Sequence, residues 1–172
     1  MARSPGGNGP VPVFREARRE DLEWLVDLLA DDPLGQAREE ASRPLPPAYL
    51  SAFDALTRDP NHRLLLAEQA GEVVGMLQLS YLPGLSHRGG WRAQVEGVRV
   101  AASARGRGIG RALVAEAVAA ARRRGCRLVQ LTSDKRRPEA LRFYRSLGFV
   151  ASHEGMKLKL PLTREAPPGS TR

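Results

Sequence analysis

The junction at Arg105–Gly110 restricts this chain more than any other feature. There a glycine-rich loop, Arg105-Gly106-Arg107-Gly108-Ile109-Gly110, joins an apolar strand pattern to the strongest helical pattern in the sequence. Upstream, Trp91–Val100 reads as a long strand. Downstream, Ile109, Leu113, Val114, Ala117, Val118 and Ala121 recur at the spacing of one helix face across Ile109–Arg124. Arg122, Arg123 and Arg124 fill the last turn, where cations suit the negative end of the helix dipole, and Gly125 follows as a cap. Cys126–Thr132 then reads as an apolar strand of the buried type. Strand, loop, helix and strand in that order make a crossover connection, so the sheet holds a parallel pair.

The flanking segments add antiparallel pairing. Val11–Ala17 reads as a short strand, and Glu20–Leu29 as a helix with Leu22, Leu25, Val26 and Leu29 on one face. A proline-rich stretch at 43–47 leads to a helix over Ala48–Thr57 that ends near Asp59-Pro60. Arg63–Gln69 and Val73–Tyr81 form a hairpin about Ala70-Gly71-Glu72, followed by a loop at 83–90. Pro138–Leu147 is a helix with proline in its first turn and Gly148 behind it, and Met156–Leu160 is the last strand. A meander followed by a crossover gives an α/β (α+β) fold with a mixed sheet. Residues 1–10 and 163–172 read as tails, because their Gly/Pro-rich and polar compositions cannot bury enough apolar surface. Residues 11–162 are then a single domain.

Composition removes several function classes. No apolar run approaches the roughly 18 residues of a membrane span, and the first residues lack the apolar core of a signal peptide. One cysteine, Cys126, permits neither an internal disulfide nor a thiolate metal cluster, so no metal site is expected and the cytoplasm is the expected compartment. Charge is distributed unevenly. Arg99–Arg145 holds 13 basic against 3 acidic residues, or +10, whereas the remainder holds 14 basic and 16 acidic, or −2. One half is therefore suited to an anionic partner: nucleic acid, an acidic membrane or a phosphorylated cofactor.

The glycine loop supplies its own chemistry. Backbone N–H groups without Cβ atoms in the way converge into an anion nest, and a helix N-terminus adds about half a positive charge. Arg105, Arg107 and Arg111 add formal charge. The expected ligand is a pyrophosphate. No Lys-Ser/Thr follows the glycines, which excludes a phosphate-binding P-loop. The dinucleotide pattern G-x-G-x-x-G also fails: counted from Gly106 the third glycine comes one residue early, and counted from Gly108 its place is taken by Leu113. Asp134 is the residue that would have to serve as a ribose-binding acid in that reading.

Arg105, Gly108 and Gly110 in R-x-x-G-x-G, after a strand and opening a helix, resemble the acetyl-CoA signature of the GNAT superfamily of N-acetyltransferases. Ala140-Leu141-Arg142-Phe143-Tyr144-Arg145-Ser146-Leu147-Gly148-Phe149 is similar to that family's A-x-x-F-Y-x-x-x-G-F block. The resemblance spans roughly residues 12–162. It implies a mostly antiparallel sheet of six to seven strands with helices on both faces. It also implies acetyl-CoA as co-substrate and direct attack of an amine on the thioester. Many members carry an asparagine three residues before the alanine of this block; here that position is Arg137, which suits a phosphate instead.

The resemblance assigns the pyrophosphate to the amides of Arg105, Gly106, Arg107, Gly108, Ile109 and Gly110, with Arg111 beside them. It assigns the pantetheine arm to backbone groups near Val98, Arg99 and Val100. Gly97, inside a strand, marks a bulge that turns an N–H toward the thioester oxygen, a contact worth about 3 kcal/mol. Glu96 interrupts an otherwise apolar strand beside that bulge and is the candidate base. His87 and His153 are weaker candidates. Tyr144, which the resemblance puts beside the sulfur, is the candidate acid for the leaving thiolate. Cys126 stands at the start of its strand, whereas ligands meet the carboxyl ends, so it is not expected to act. The first two helices and the 83–90 loop are left for the acceptor. Their acidic residues Asp31, Asp32, Glu39 and Glu40 suit a cationic amine, either a small molecule or a peptide. A homodimer is admissible. The competing functions are a non-catalytic acyl-CoA-binding regulatory module on the same fold, and a nucleic-acid binder using the +10 segment. No zinc-finger spacing or RNA-binding aromatic motif supports the latter.

Overall fold

In a computed structural model of the chain, residues 11–160 other than Asp32 are described. The backbone groups into two compact units, one running to Ser133 and the other starting at Asp134. The expected tails lie outside the described residues.

The first unit contains β1 (Val13–Glu16), α1 (Leu22–Ala30), α2 (Pro33–Gln36), α3 (Pro47–Arg58), β2 (His62–Gln69) and β3 (Glu72–Leu82). After these come the single turn α4 (Ser86–Gly89), β4 (Arg92–Val100), α5 (Ile109–Arg123) and β5 (Leu128–Leu131). The strands form one five-stranded sheet in the order β1-β2-β3-β4-β5. The first three pairings are antiparallel, and β4 and β5 pair in parallel across the α5 crossover. Ala70 and Gly71, at φ 51° and 82°, turn the β2–β3 hairpin; positive φ at both central residues is the type I′ turn that matches strand twist.

Helices cover both faces of the sheet, because strand side chains alternate. On one face Ile109, Leu113 and Ala117 of α5 pack against Leu65, Leu77, Leu79 and Val95. Leu113 is fully buried, a contribution of about 2 kcal/mol. On the other face Leu25 and Val26 of α1 and Phe53 of α3 cover Leu64, Leu66 and Met76. Gly75 sets where α5 begins. A Cβ there would stand 3.0 Å from Leu113 Cδ1 and 3.2 Å from Ile109 Cγ2, so the missing side chain lets the first turn of α5 lie on β3. At the far edge Arg15 fastens β1 to its neighbours. It donates to Asp21 at 2.7 and 2.9 Å and to Glu68 at 2.7 Å. The Arg15 hydrogen bonds hold the buried Asp21 carboxyl below the usual carboxylate range.

Several expectations need correcting. The sheet has five strands among the described residues, not six or seven. Met156–Leu160 alternates apolar and lysine residues yet forms no strand there; alternation permits a strand, but a ladder partner makes one. β5 is shorter than Cys126–Thr132 and only partly covered, with Leu128 43% exposed, because it pairs on one side only. The β1 strand is shorter than Val11–Ala17, and α1 starts after a 3-10 turn at Arg19–Asp21. On α5, Ala120 rather than Val118 completes the buried stripe.

α5 ends as expected. The Cys126 N–H donates to Ala121 C=O at 2.9 Å and the Gly125 N–H to Arg122 C=O at 3.0 Å, a Schellman cap. The second unit repeats the device on α6 (Pro138–Ser146): Phe149 N–H to Tyr144 C=O at 3.1 Å, and Gly148 N–H to Arg145 C=O at 3.0 Å. The Tyr144 and Phe149 rings meet edge to face, 5.9 Å between centroids. The spacing of Tyr144, Gly148 and Phe149 is therefore the spacing of a helix stop.

Candidate active site

The loop before α5 has the form its glycines require. A 3-10 turn at Ala102–Ala104 leads into it, and Gly106 and Gly108 take φ +77° and +80°. A Cβ at either glycine would meet nothing within 4 Å. These glycines serve a backbone shape and an open space rather than internal packing. The Ala112 N–H donates to Gly108 C=O at 3.0 Å. Helix geometry therefore leaves the N–H groups of Ile109 and Gly110 ahead of it without intrahelical acceptors. The Ile109 side chain is buried at 2% exposure, which anchors the turn, while Arg105, Gly106, Arg107, Gly108 and Arg111 are exposed. This cradle fits a diphosphate: open space over two left-handed glycines, helix N-terminal amides and three nearby guanidinium-bearing residues.

A second feature lies on β4. Its pairing with β5 covers only Arg92–Val95, but the strand continues to Val100. Residues 96–100 thus have β3 on one side and no β5 partner on the other. Backbone groups there can pair with an amide-bearing chain laid between the two strands. The β3 register slips in this stretch: Gln78 faces Glu96, but Met76 faces Arg99, which inserts one extra residue in β4. Gly97, at φ +60°, is the bulge. The expectation of a bulge at Gly97 is met.

Glu96 is exposed and sits opposite Gln78, so the two side chains share a face of the sheet, the face covered by α1 and α3. On that face a cleft of about 190 Å³ opens between α1 and α3, lined by Leu29, Tyr49, Phe53, Met76, Gln78 and Gly97 among others. A larger hollow of about 410 Å³, at Glu16, Asp59 and His62, touches none of the expected site residues. Sequence reasoning missed Gln78, although it interrupts an apolar strand just as Glu96 does. Tyr49 and Met76 carried no comparable signal.

The remaining candidates separate. Val98 and Val100 pack onto the α5-side core, so their contribution to a ligand is main-chain. Arg99 donates to Val98 C=O at 3.1 Å. Arg105 donates to Asp31 at 2.8 Å and to Val100 C=O at 3.2 Å. Asp31, expected on the acceptor side, is thus engaged by the glycine-rich loop. Glu39 accepts from the Tyr49 hydroxyl at 3.0 Å, and Asp32 lies outside the described residues. His87 is exposed in α4 at φ +53°. In the first unit, burial pushes the Cys126 thiol up, against the nearby Arg124 charge, which disfavours the thiolate a nucleophile needs. In the second unit Arg137 occupies the position before α6 and its side chain lies 3.7 Å from that of Glu139, and Tyr144 meets Phe143 edge to face at 5.1 Å. His153 lies 2.8 Å from Ser152 Oγ, exposed. Part of the +10 segment is structural. Arg124 lies over the rings of Tyr81 and Trp91 at 5.4 and 5.2 Å, and Arg123 pairs with Glu116 at 2.7 Å. The described residues contain no cluster of metal ligands and no helix long and apolar enough to cross a membrane.

The profile of the Acetyltransferase (GNAT) family matches residues 22–149, from α1 through the end of the Tyr144 block. The chain belongs to the GNAT acetyltransferase family. This GNAT protein is 32% identical over 144 residues to the aminoalkylphosphonate N-acetyltransferase of Salmonella typhimurium, spanning 84% of this chain and 88% of that one. It is 34% identical over 163 residues to glucosamine 6-phosphate N-acetyltransferase 1 of Oryza sativa subsp. japonica, spanning 91% and 92%. Among solved structures, a transcriptional regulator from Bacillus halodurans C-125 is 51% identical and superposes with a TM-score of 0.84 over 87% of this chain and 99% of that one. The chain is an N-acetyltransferase, which transfers acetyl groups to amines, and acetyl-CoA use is typical of its family.

Proposed function

We propose that this protein uses acetyl-CoA to acetylate a primary amine in the cytoplasm by direct attack, with residues 11–162 acting as the catalytic domain. The observation that carries the reading is the pairing of two features on one connection. β4 runs past its β5 partner over residues 96–100, and the left-handed glycines 106 and 108 follow at the mouth of α5. Backbone amides of Arg105–Gly110 hold the diphosphate, aided by the Arg107 and Arg111 guanidinium groups, and Arg137 serves a phosphate. Main-chain groups of Val98, Arg99 and Val100 align the pantetheine amides as a strand would. Acetyl-CoA supplies the acetyl thioester. Glu96 takes a proton from the acceptor ammonium, directly or through a water. The freed amine attacks the carbonyl carbon, the main chain at the Gly97 bulge steadies the oxyanion, and as the C–S bond breaks the nitrogen gives its second proton to solvent. Tyr144, assigned by its place in the Ala140–Phe149 block, gives its proton to the sulfur and takes one back from solvent.

The test is acetyl-CoA turnover with an amine panel, in the wild type and in Tyr144→Phe and Glu96→Gln. Turnover that falls in both variants supports the reading; wild-type binding of acetyl-CoA with no turnover on any amine refutes it. That second outcome is what a non-catalytic acyl-CoA-binding regulatory module requires. The similarity to a protein named a transcriptional regulator favours keeping it as the alternative.

A further inference from the structure

We propose that the cleft between α1 and α3 is the acceptor pocket and that it takes a primary amine carried on an uncharged, apolar body, about one aromatic ring or a short alkyl chain in size. The inference rests on the acetyl-transfer reading above and names the substrate class of the same site. The cleft reaches the bulge: a Cβ built on Gly97 would point between Leu29 Cδ2 and Met76 Cε, 3.9 Å from each. The backbone assigned to the thioester end therefore opens into this space. Its volume is about 190 Å³, and an apolar cavity of about 150 Å³ accommodates benzene. Its lining is leucine, valine, alanine, phenylalanine and methionine, with Gln78 and Tyr49 as the polar members and no charged side chain among the described residues. The Tyr49 hydroxyl is already engaged, donating to Glu39 and accepting from the Glu40 N–H at 2.9 Å. Polarity collects on the sheet side, where Gln78 lines the cleft and its register partner on β4 is the exposed Glu96. An amine oriented nitrogen outward and body inward meets both surfaces.

A phosphorylated body does not match this interior. Three arginines around α1 and α3 are committed to carboxylates: Arg43 to Glu23 and Asp27 at 3.0 and 2.7 Å, Arg19 to Asp54 at 2.6 Å, and Arg105 to Asp31 at 2.8 Å. A phosphate buried among leucines, with no charged side chain in the lining, carries a large desolvation penalty. The specificity of this chain then departs from that of its aminoalkylphosphonate and glucosamine 6-phosphate relatives, whose names specify anionic acceptors.

The experiment measures kcat/KM of the full chain with acetyl-CoA on n-alkylamines of increasing length, benzylamine, 2-aminoethylphosphonate and glucosamine 6-phosphate. The expected result is a rise of about fourfold per methylene until the cleft is full, with both anionic acceptors at least about tenfold below benzylamine. Leu29→Gln should flatten the chain-length series. Ala52→Phe, at an exposed lining position, should penalise the longest amines first. The thermal shift given by acetyl-CoA reports that each variant is folded. A preference for the anionic acceptors, a flat series in the wild type, or acetyl-CoA binding without acetylation of any apolar amine overturns the inference. Absence of the acetyl-CoA thermal shift in the wild type overturns the acetyl-transfer reading beneath it, and the inference with it.

Discussion

Gly71 and Gly108 share one backbone conformation, at φ +82° and +80°, and a Cβ at either would meet nothing within 4 Å. They differ in position: Gly71 closes the β2–β3 hairpin, and Gly108 is the N-cap of α5. Alanine at either site pays the left-handed penalty of about 1–2 kcal/mol. For a domain of this size that lowers Tm by about 2–8 °C. The two variants should therefore be about equally destabilised. Their ligand binding should separate. At Gly108 the new methyl group enters the open space that the proposal assigns to the diphosphate, and relaxation out of the left-handed region would also turn the neighbouring amides away. Losing one charge-assisted hydrogen bond costs about 1.5–3 kcal/mol, or about 10- to 150-fold in Kd. Differential scanning fluorimetry gives the stability arm, and isothermal titration with coenzyme A gives the affinity arm. Equal affinities for Gly108→Ala and Gly71→Ala would refute the reasoning, because backbone strain would then be the only role of Gly108.

Three further outcomes are expected. Arg107→Ala should leave Tm nearly unchanged, since the residue is exposed; titration should show weaker coenzyme A binding, by about tenfold. Tyr144→Phe should lower kcat by about 10²-fold or more while the KM for acetyl-CoA stays within about twofold, read from steady-state kinetics. Asp21→Asn should destabilise the fold by about 2–4 kcal/mol in urea melts at pH 7. The folded Asp21 carboxyl is held below its unfolded value by Arg15, so its contribution is complete above that unfolded value and is lost as pH falls through the folded one. The gap between wild type and Asp21→Asn should accordingly close on acidification below about pH 4, and a constant gap would contradict the assignment.

What the sequence disclosed follows from which interactions are local. The α5 helix and its cap are written into a period and a Gly-Cys pair, and the structure agrees to within one residue. The loop glycines were legible because positive φ is a local property. The bulge at Gly97 was legible as a glycine interrupting a strand, but the slip from Gln78 to Met76 that defines it depends on β3, a separate segment. Long-range partners were not legible. Nothing in the Asp31 neighbourhood pointed to Arg105, 74 positions away. Of the acidic residues taken as a sign of the acceptor, Asp31 is paired with Arg105 and Glu39 accepts from the Tyr49 hydroxyl. The apolar cleft is equally hidden, since Leu29, Phe53 and Met76 read as ordinary core residues until three elements come together. Met156–Leu160 shows the converse, a pattern that permits a strand without specifying a partner.

The central claim is that main-chain amides at the mouth of α5 bind the diphosphate of coenzyme A. The most direct measurement is amide NMR of 15N-glycine-labelled protein, titrated in parallel with coenzyme A and with pantetheine, which lacks the diphosphate. The account predicts that coenzyme A moves the Gly106, Gly108 and Gly110 amide resonances and that pantetheine leaves them in place while still perturbing Gly97. Resonances of Gly106, Gly108 and Gly110 that stay fixed at saturating coenzyme A would contradict it.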